Sequence, residues 1–253
     1  MKVTFLAHSG FLVEWERFYT LFDFYRGELP PLDANKPLLV FVSHSHEDHF
    51  DPRIFRIEHP EVRYYLSRDI RLTERRRRAL GVSDALFERT TLLRPDELFV
   101  TEAAGEPMTI RTIKSTDTGD AFLLSCEGKL VYHAGDNNWW HWESEGAPYC
   151  REMEQLYRRS IEKLAQDVRD EAEDNGVAAV LEAAMVPMDP RLEDAFGLGA
   201  EHLMREVAVK KLFPMHLWDK FDWIDRFLRE HPEREAQVVR IRRDGESFET
   251  DHT

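Results

Sequence analysis

Four side chains able to bind a metal ion, His44, His46, Asp48 and His49, fall within six consecutive positions of the stretch Ser43-His44-Ser45-His46-Glu47-Asp48-His49. Imidazole nitrogen and carboxylate oxygen are the donors that zinc and its first-row neighbours take. His44 and His46 share the two-residue period of an extended chain, so both rings can converge on one ion. Asp48 and His49 follow in a turn and can aim at a second ion beside the first. One loop could thus supply both halves of a two-metal site. Histidine clusters also decorate surface loops, but an interleaved carboxylate at fixed spacing in a strand-to-helix setting argues for metal binding.

The elements that hold this loop can be read on either side of it. Pro37-Leu38-Leu39-Val40-Phe41-Val42 is apolar and reads as a buried strand that stops where the histidines begin. Asp51-Pro52 is a helix-start signature, Asp51 as N-cap and Pro52 at the first helical position. Far downstream, the strand Lys129 to His133 runs into Ala134-Gly135-Asp136, where a carboxylate with two oxygens can bridge two ions. A later strand, Lys211 to Met215, delivers His216 at its end.

Around these, alternating apolar runs predict strands at Val3 to Ala7, Phe11 to Trp15, Tyr19 to Phe24, Val62 to Leu66, Met108 to Ile113 and Ala121 to Cys126. Helical signal covers Pro52 to Ile57 and Thr73 to Leu80. A long helix is expected from Tyr149 to Asn175, where Met153, Leu156, Tyr157, Ile161, Leu164 and Val168 recur at helical spacing before Asn175-Gly176. The remainder predicts a strand at Val177 to Ala183, a helix at Ala200 to Lys210, a strand at Leu212 to Met215, a helix at Phe221 to Arg229 and a strand at Gln237 to Arg242. Two strand series, each followed by helices, predict an α/β four-layer sandwich.

At 253 residues, with no linker-like stretch, the chain is expected to form a single domain over 1–253. Its start lacks a charged segment followed by a long apolar core, and no apolar run reaches membrane length. A soluble, cytoplasmic protein without membrane contact is expected. Cys126 and Cys150 are the only cysteines, too few for a disulfide framework or a thiolate zinc site. The net charge of −14 opposes long polyanions, and the basic run Arg75 to Arg78 reads as a solvated helical face in preference to a nucleic-acid patch. No long nucleic acid is expected as a partner.

The order His-x-His-x-Asp-His, then Gly-Asp, then a late strand-end His resembles the metallo-β-lactamase superfamily. The resemblance runs from His8-Ser9-Gly10 and Asp23 to His216 and is nearest to the branch of small metal-dependent hydrolases that includes ascorbate-6-phosphate lactonase-like proteins. It implies the αβ/βα sandwich of the metallo-β-lactamase fold, with metals in a groove along one edge of the two sheets. Carried over, His44 and His46 would bind the first metal, Asp48, His49 and His216 the second, and Asp136 both. Zinc is the implied metal, as two ions, with manganese or iron as alternatives.

One departure stands out. The family places a further first-metal histidine where this chain reads Lys114-Ser115-Thr116-Asp117-Thr118-Gly119. Asp117 could replace it and make that site harder and richer in oxygen. Alternatively the first site is weak, or His133 or His141 swings in. His8 reads as a hydrogen-bonded structural histidine and Asp23 as a carboxylate that braces the loop or a ligand. The cluster Asn137-Asn138-Trp139-Trp140-His141-Trp142 either walls a substrate pocket, with Trp139, Trp140 and His141 as contacts, or anchors the long helix. Arg191 could hold a substrate anion or pair with Asp189 or Glu193.

The function expected is a zinc-type metallohydrolase acting on a small ester, lactone or phosphodiester. Two ions ~3.5 to 4 Å apart would lower the pKa of a shared water toward ~7, and Asp48 would orient the resulting hydroxide and carry its proton. The alternatives are a metal-binding scaffold with an incomplete first site and no catalysis, or a nuclease or phosphodiesterase of the same superfamily. A diiron oxidoreductase fits less well, since that branch usually has Glu where this chain has His46.

Overall fold

The computed structural model describes residues 1–250. Strands β1 (Lys2–Ala7), β2 (Gly10–Glu14), β3 (Tyr19–Phe22), β4 (Leu38–Val42), β5 (Val62–Ser67) and β6 (Thr90–Leu93) form one sheet. Strands β7 (Leu98–Ala103), β8 (Glu106–Lys114), β9 (Asp120–Cys126), β10 (Lys129–His133), β11 (Leu181–Pro187) and β12 (Val209–Met215) form the second. The final strand, β13 (Glu246–Glu249), returns to the first sheet and pairs antiparallel with β1. Each sheet begins as an antiparallel meander and continues in parallel: β3 to β6 in one, β10 to β12 in the other. The parallel strands β4 and β11 are buried along their whole length: β4 reads as an unbroken apolar run, and β11 is apolar but for Glu182.

The short helices α1 (Glu74–Leu80) and α2 (Asp84–Glu88) flank the first sheet, whose outer face, with Leu38, Val40 and Val42, packs a separate apolar cluster under them. Thr73 and Ser83 cap the two helices by accepting from the amides of Arg76 and Leu86. On the other sheet lie α3 (Ala147–Asn175), α4 (Leu198–Glu206) and α5 (Asp222–Glu230), with α3 against β8 and α4 against β11. Inner-face side chains such as Phe11, Phe22, Phe41, Phe122 and Phe213 fill the space between the sheets. Each contributes about 1.5–3 kcal/mol by leaving water. The expected four-layer α/β sandwich is the architecture found. Among the described residues no helix is long and apolar enough to cross a membrane.

Several expected boundaries move. The strand expected at Val177 to Ala183 lies at Leu181–Pro187, because four loop residues follow the helix end at Gly176. The helix expected to Lys210 stops at Glu206, and β12 begins at Val209. Gln237 to Arg242 forms no strand: only Val238 bridges to Leu212, and the last strand comes later, at Glu246. The segment Pro52 to Arg56 is a 3₁₀ turn, although Asp51 caps it as expected. Strands β6 and β7 and helix α2 have no counterpart in the sequence reading. Their apolar patterns are short and half-exposed, and their pairing is set by distant strands.

Strand direction is what assembles the site. Two antiparallel pairings in succession make β1 run the same way as β3, β4 and β5, and make β8 run the same way as β10, β11 and β12. Residues just past the carboxyl ends of all these strands therefore gather along one edge, where open α/β sheets bind ligands. His8, Asp23, His44, Asp117, Asp136, Asp189 and His216 all lie just past such ends.

One buried carboxylate behind this edge makes stability depend on pH. Asp120 Oδ2 accepts from Ser67 Oγ at 2.6 Å while Oδ1 has no partner among the described residues. Burial, reinforced by the charges of Asp96, Asp69 and Glu97, pushes its carboxyl up to about 6. The unfolded value is ~3.9, so the group's stabilising contribution is complete below pH ~4 and is lost as pH rises through ~6. Asp120→Asn is expected to be more stable than the parent by about 1–3 kcal/mol at pH 8, with the advantage gone near pH 4. Urea unfolding at the two pH values reads this directly, and an equal difference at both would refute it.

Candidate metal centre

The edge brings two groups of ligand atoms together, His44 with His46 and Asp136, and His8 with Asp48, His49 and His216. Asp136 stands between them. Its Oδ2 lies 3.4 Å from His44 Nε2, and its Oδ1 lies 3.0 Å from His49 Nε2 and 3.2 Å from His216 Nε2. Asp48 Oδ2 lies 3.6 Å from His216 Nε2 and 3.3 Å from His8 Nε2.

The far side of each buried ring is held by oxygen. His49 Nδ1 donates to Asp23 Oδ2 at 2.7 Å, and His216 Nδ1 donates to Asp189 Oδ2 at 2.9 Å. Ser43 Oγ donates to Asp23 Oδ2 at 2.6 Å, so at 2.9 Å from His44 Nδ1 it accepts. These contacts place the proton on Nδ1 and turn an Nε2 lone pair toward the cluster, the arrangement that outer carboxylates impose on metal-binding histidines. For His44 the consequence is sharp. A buried Nε2 lone pair faces a carboxylate oxygen, acceptor against acceptor, and among the described residues His44 Nε2, His8 Nε2 and Asp136 Oδ1 are all without a hydrogen-bond partner. Buried polar atoms are seldom left so. A cation in each ligand group would satisfy them, so the donor set fits a metal.

The charges agree. Burial would raise the Asp136 carboxyl, but His49 and His216 outweigh it and hold it well below the ordinary range. Asp48 is also pulled well below that range, against its burial, by His8, His49 and His216. Burial would lower His49, yet Asp136 and Asp23 push it well above its usual value, and Asp136, against burial, also raises His216. The centre stabilises positive charge, whether protons or a metal carry it. His8 differs: burial takes it down to about 4, leaving a neutral imidazole.

The backbone is strained at the same place. His8, Asp23, His216, Trp218 and Asp219 all hold left-handed φ between 43° and 63°. Such conformations persist where the surroundings over-determine them, typically at functional sites.

Two expectations about the ligand residues change. His8, read as a structural histidine, stands in the second group, because β1 runs parallel to β3 and its end meets the β12 end, where His216 N donates to His8 O at 3.1 Å. Only that tertiary meeting supplies the partner its sequence neighbours lack. Asp117 comes to the rim beside His46, with Oδ2 3.8 Å from Nδ1, but is outside the His44, His46 and Asp136 group. His133 does not swing in: its Nε2 donates to Ser9 O at 2.9 Å and its ring stacks on Phe22.

A cleft of about 460 Å³ opens over the centre, with His46, Asp48, Asp136 and His216 on its floor. Trp140, Trp142 and Trp218 form apolar walls, and Arg191 sits at the rim. Trp140 also donates from Nε1 to Asp136 O at 3.0 Å. Trp139 and His141, expected as substrate contacts, do not line it. Past β10 successive side chains point to opposite sides, and Trp139 turns inward against Tyr157 and His202. The indole cluster thus both walls the cleft and anchors the helices. Trp218, two residues past His216, and Tyr149 and Met153 at the start of α3 complete the lining; the His216-Leu217-Trp218 spacing is the one signal that could have found any of them. Arg191 pairs with Asp189, as one of its two readings had it.

No family model matches the chain, and no curated protein matches it. Solved structures match in shape. Igni18, a metallo hydrolase from the hyperthermophilic archaeon Ignicoccus hospitalis, superposes with a TM-score of 0.60 at 16% identity, covering 98% of this chain and 98% of its own. CmlA, a diiron β-hydroxylase from Streptomyces venezuelae, gives 0.58 at 11% identity over 98% of this chain and 53% of its own. Human tRNase Z, short form, gives 0.53 at 11% identity over the full length of both. The chain has the metallo-β-lactamase fold. That fold carries hydrolytic and oxidative chemistry alike, so function has to be argued from the site.

Proposed function

We propose that this protein is a metal-dependent hydrolase of a small ester, lactone or phosphodiester. The observation that carries the reading is the buried His44 Nε2 lone pair set against Asp136 beside two further unpartnered donors. In this reading His44, His46 and Asp136 would hold the first ion, with Asp117 beside His46. Asp48, His49, His216 and Asp136 would hold the second, with His8 beside them. Zinc suits the nitrogen-rich second group, while manganese or iron would tolerate Asp117 at the first. Two such ions would supply Lewis acidity toward a carbonyl or phosphoryl oxygen and acidify a water to a pKa of ~7.

The chain's own residues do the rest. Asp48, ionised and with its side chain 28% exposed to the cleft, accepts a hydrogen bond from the attacking water, orients it and takes up its proton. Asp23 and Asp189 keep His49 and His216 in their ligand tautomers. The indole walls exclude water and admit a small substrate, in keeping with the ascorbate-6-phosphate lactonase-like resemblance.

Elemental analysis of protein expressed without a histidine tag, paired with a screen of model lactones, esters and phosphodiesters, tests this. About two ions per chain and turnover of one substrate class are expected. Fewer than about one ion per chain would sink the dinuclear centre. A full metal complement with no turnover would favour a metal-binding scaffold, the reading that the exposed His46 and the absence of a third first-site histidine would then support.

A further inference from the structure

We infer that Arg191 anchors an oxyanion carried by the substrate, so that the cleft selects small anionic molecules. The inference rests on the cleft being the substrate site of the proposed hydrolase. Arg191 is the one lining residue with a permanent positive charge, in a chain of net charge −14 whose cleft also bears Asp48, Asp117 and Asp136. Its guanidinium is fixed on one edge. Nε lies 3.0 and 2.9 Å from the two oxygens of Asp189, and Nη2 lies 2.5 Å from Oδ2. Its faces are fixed too, with the Trp142 ring centroid 5.5 Å and the Trp218 centroid 4.5 Å from Cζ.

Asp189 leaves the other edge available. Nη1 makes no hydrogen bond among the described residues, and the side chain is 46% exposed. A planar guanidinium held in this way loses little entropy on donating to a second oxyanion. The carboxylate that holds it is fully engaged, since Asp189 Oδ2 also accepts from His216 Nδ1 at 2.9 Å and from Trp218 Nε1 at 3.2 Å. Arg191 is thus more than a counter-ion for Asp189. It presents a preset donor pair, Nη1 with the remaining Nη2 hydrogen, in the cleft it lines together with Asp48 and Asp136. The substrate class that fits carries a carboxylate or phosphate away from the scissile bond, with a flat or apolar portion between them against Trp140 and Trp142.

Binding of benzoate, phenylphosphonate and neutral benzamide to the metal-loaded full chain tests this by calorimetry and cleft tryptophan fluorescence. Benzoate or phenylphosphonate is expected to bind, and benzamide to bind at least about tenfold more weakly. Arg191→Gln is expected to lose about tenfold or more of the anion affinity with metal content unchanged, and Arg191→Lys to regain part of it. Whichever anion binds more tightly distinguishes carboxylate from phosphate. Equal anion affinity in parent and Arg191→Gln would overturn the inference by assigning the anion to the metals. So would a fall in metal content along with affinity, which would make Arg191 only a brace for Asp189 and His216. Because binding is read without turnover, a protein that binds anions through Arg191 yet hydrolyses nothing would refute the hydrolase reading alone.

Discussion

On the proposed metallohydrolase reading, Asp136→Ala is expected to abolish hydrolysis and to strip most of the bound metal. Among the described residues Asp136 is the one carboxylate within 3.4 Å of Nε2 atoms from both ligand groups, and it is 5% exposed. Loss of a residue that merely supports a ligand costs ~10–100-fold in metal affinity or activity, and loss of the shared carboxylate should exceed that. The variant also leaves His49 and His216 without the carboxylate that stabilises positive charge on them. Metal analysis and turnover should therefore fall together. A variant that keeps two ions and activity within tenfold of the parent would show that Asp136 does not join the two sites.

Gly119→Ala should be the most disruptive single-methyl change at the site. Gly119 has φ +70°, and a Cβ there would stand 2.1 Å from Ser43 O and 2.6 Å from His44 Cβ. Both neighbours belong to the ligand loop: Ser43 O accepts from Asp120 N at 3.0 Å, and Gly119 O accepts from Ser115 N at 3.1 Å. The loop cannot retreat without moving His44. A cost of about 4 kcal/mol or more is expected, equivalent to a fall in Tm of about 10 °C. Gly81→Ala is the control, since its φ is +73° with nothing within 4 Å, and it should cost only about 1 kcal/mol. Thermal unfolding of both variants separates the collision from the backbone strain. Similar Tm values would remove the close approach as a determinant.

Asp117 and Gly119 share the turn in which the resemblance places another histidine. The structure gives that turn a mechanical role: it packs on the Ser43-His44 backbone, with Thr116 Oγ1 donating to Asn138 O at 2.7 Å. Its acidic side chain, Asp117, stays at the rim, with Oδ2 3.8 Å from His46 Nδ1. The first group is thereby left more open than the second, and His46, its outer member, is 49% exposed while His49 and His216 are buried.

The sequence by itself determined which strand ends carry chemistry. The apolar runs before His44, Asp136 and His216 are local patterns, and a buried strand followed by a polar residue needs no distant information to be recognised. The same holds for the long α3 helix and for the cap at Asp51. Tertiary structure alone decided the rest. His8 joins the centre because two antiparallel turns bring the β1 end beside the β3 and β12 ends, a relation between strands far apart in the chain. Asp189 divides its oxygens among His216, Arg191 and Trp218 because a 3₁₀ turn after β11 faces the β12 end, which no spacing in the sequence encodes. Residue types and periodicity are properties of a segment. Which carboxylate holds which imidazole, and which face of an indole reaches the cleft, are properties of how segments pack, and they appear only when the two sheets close on each other.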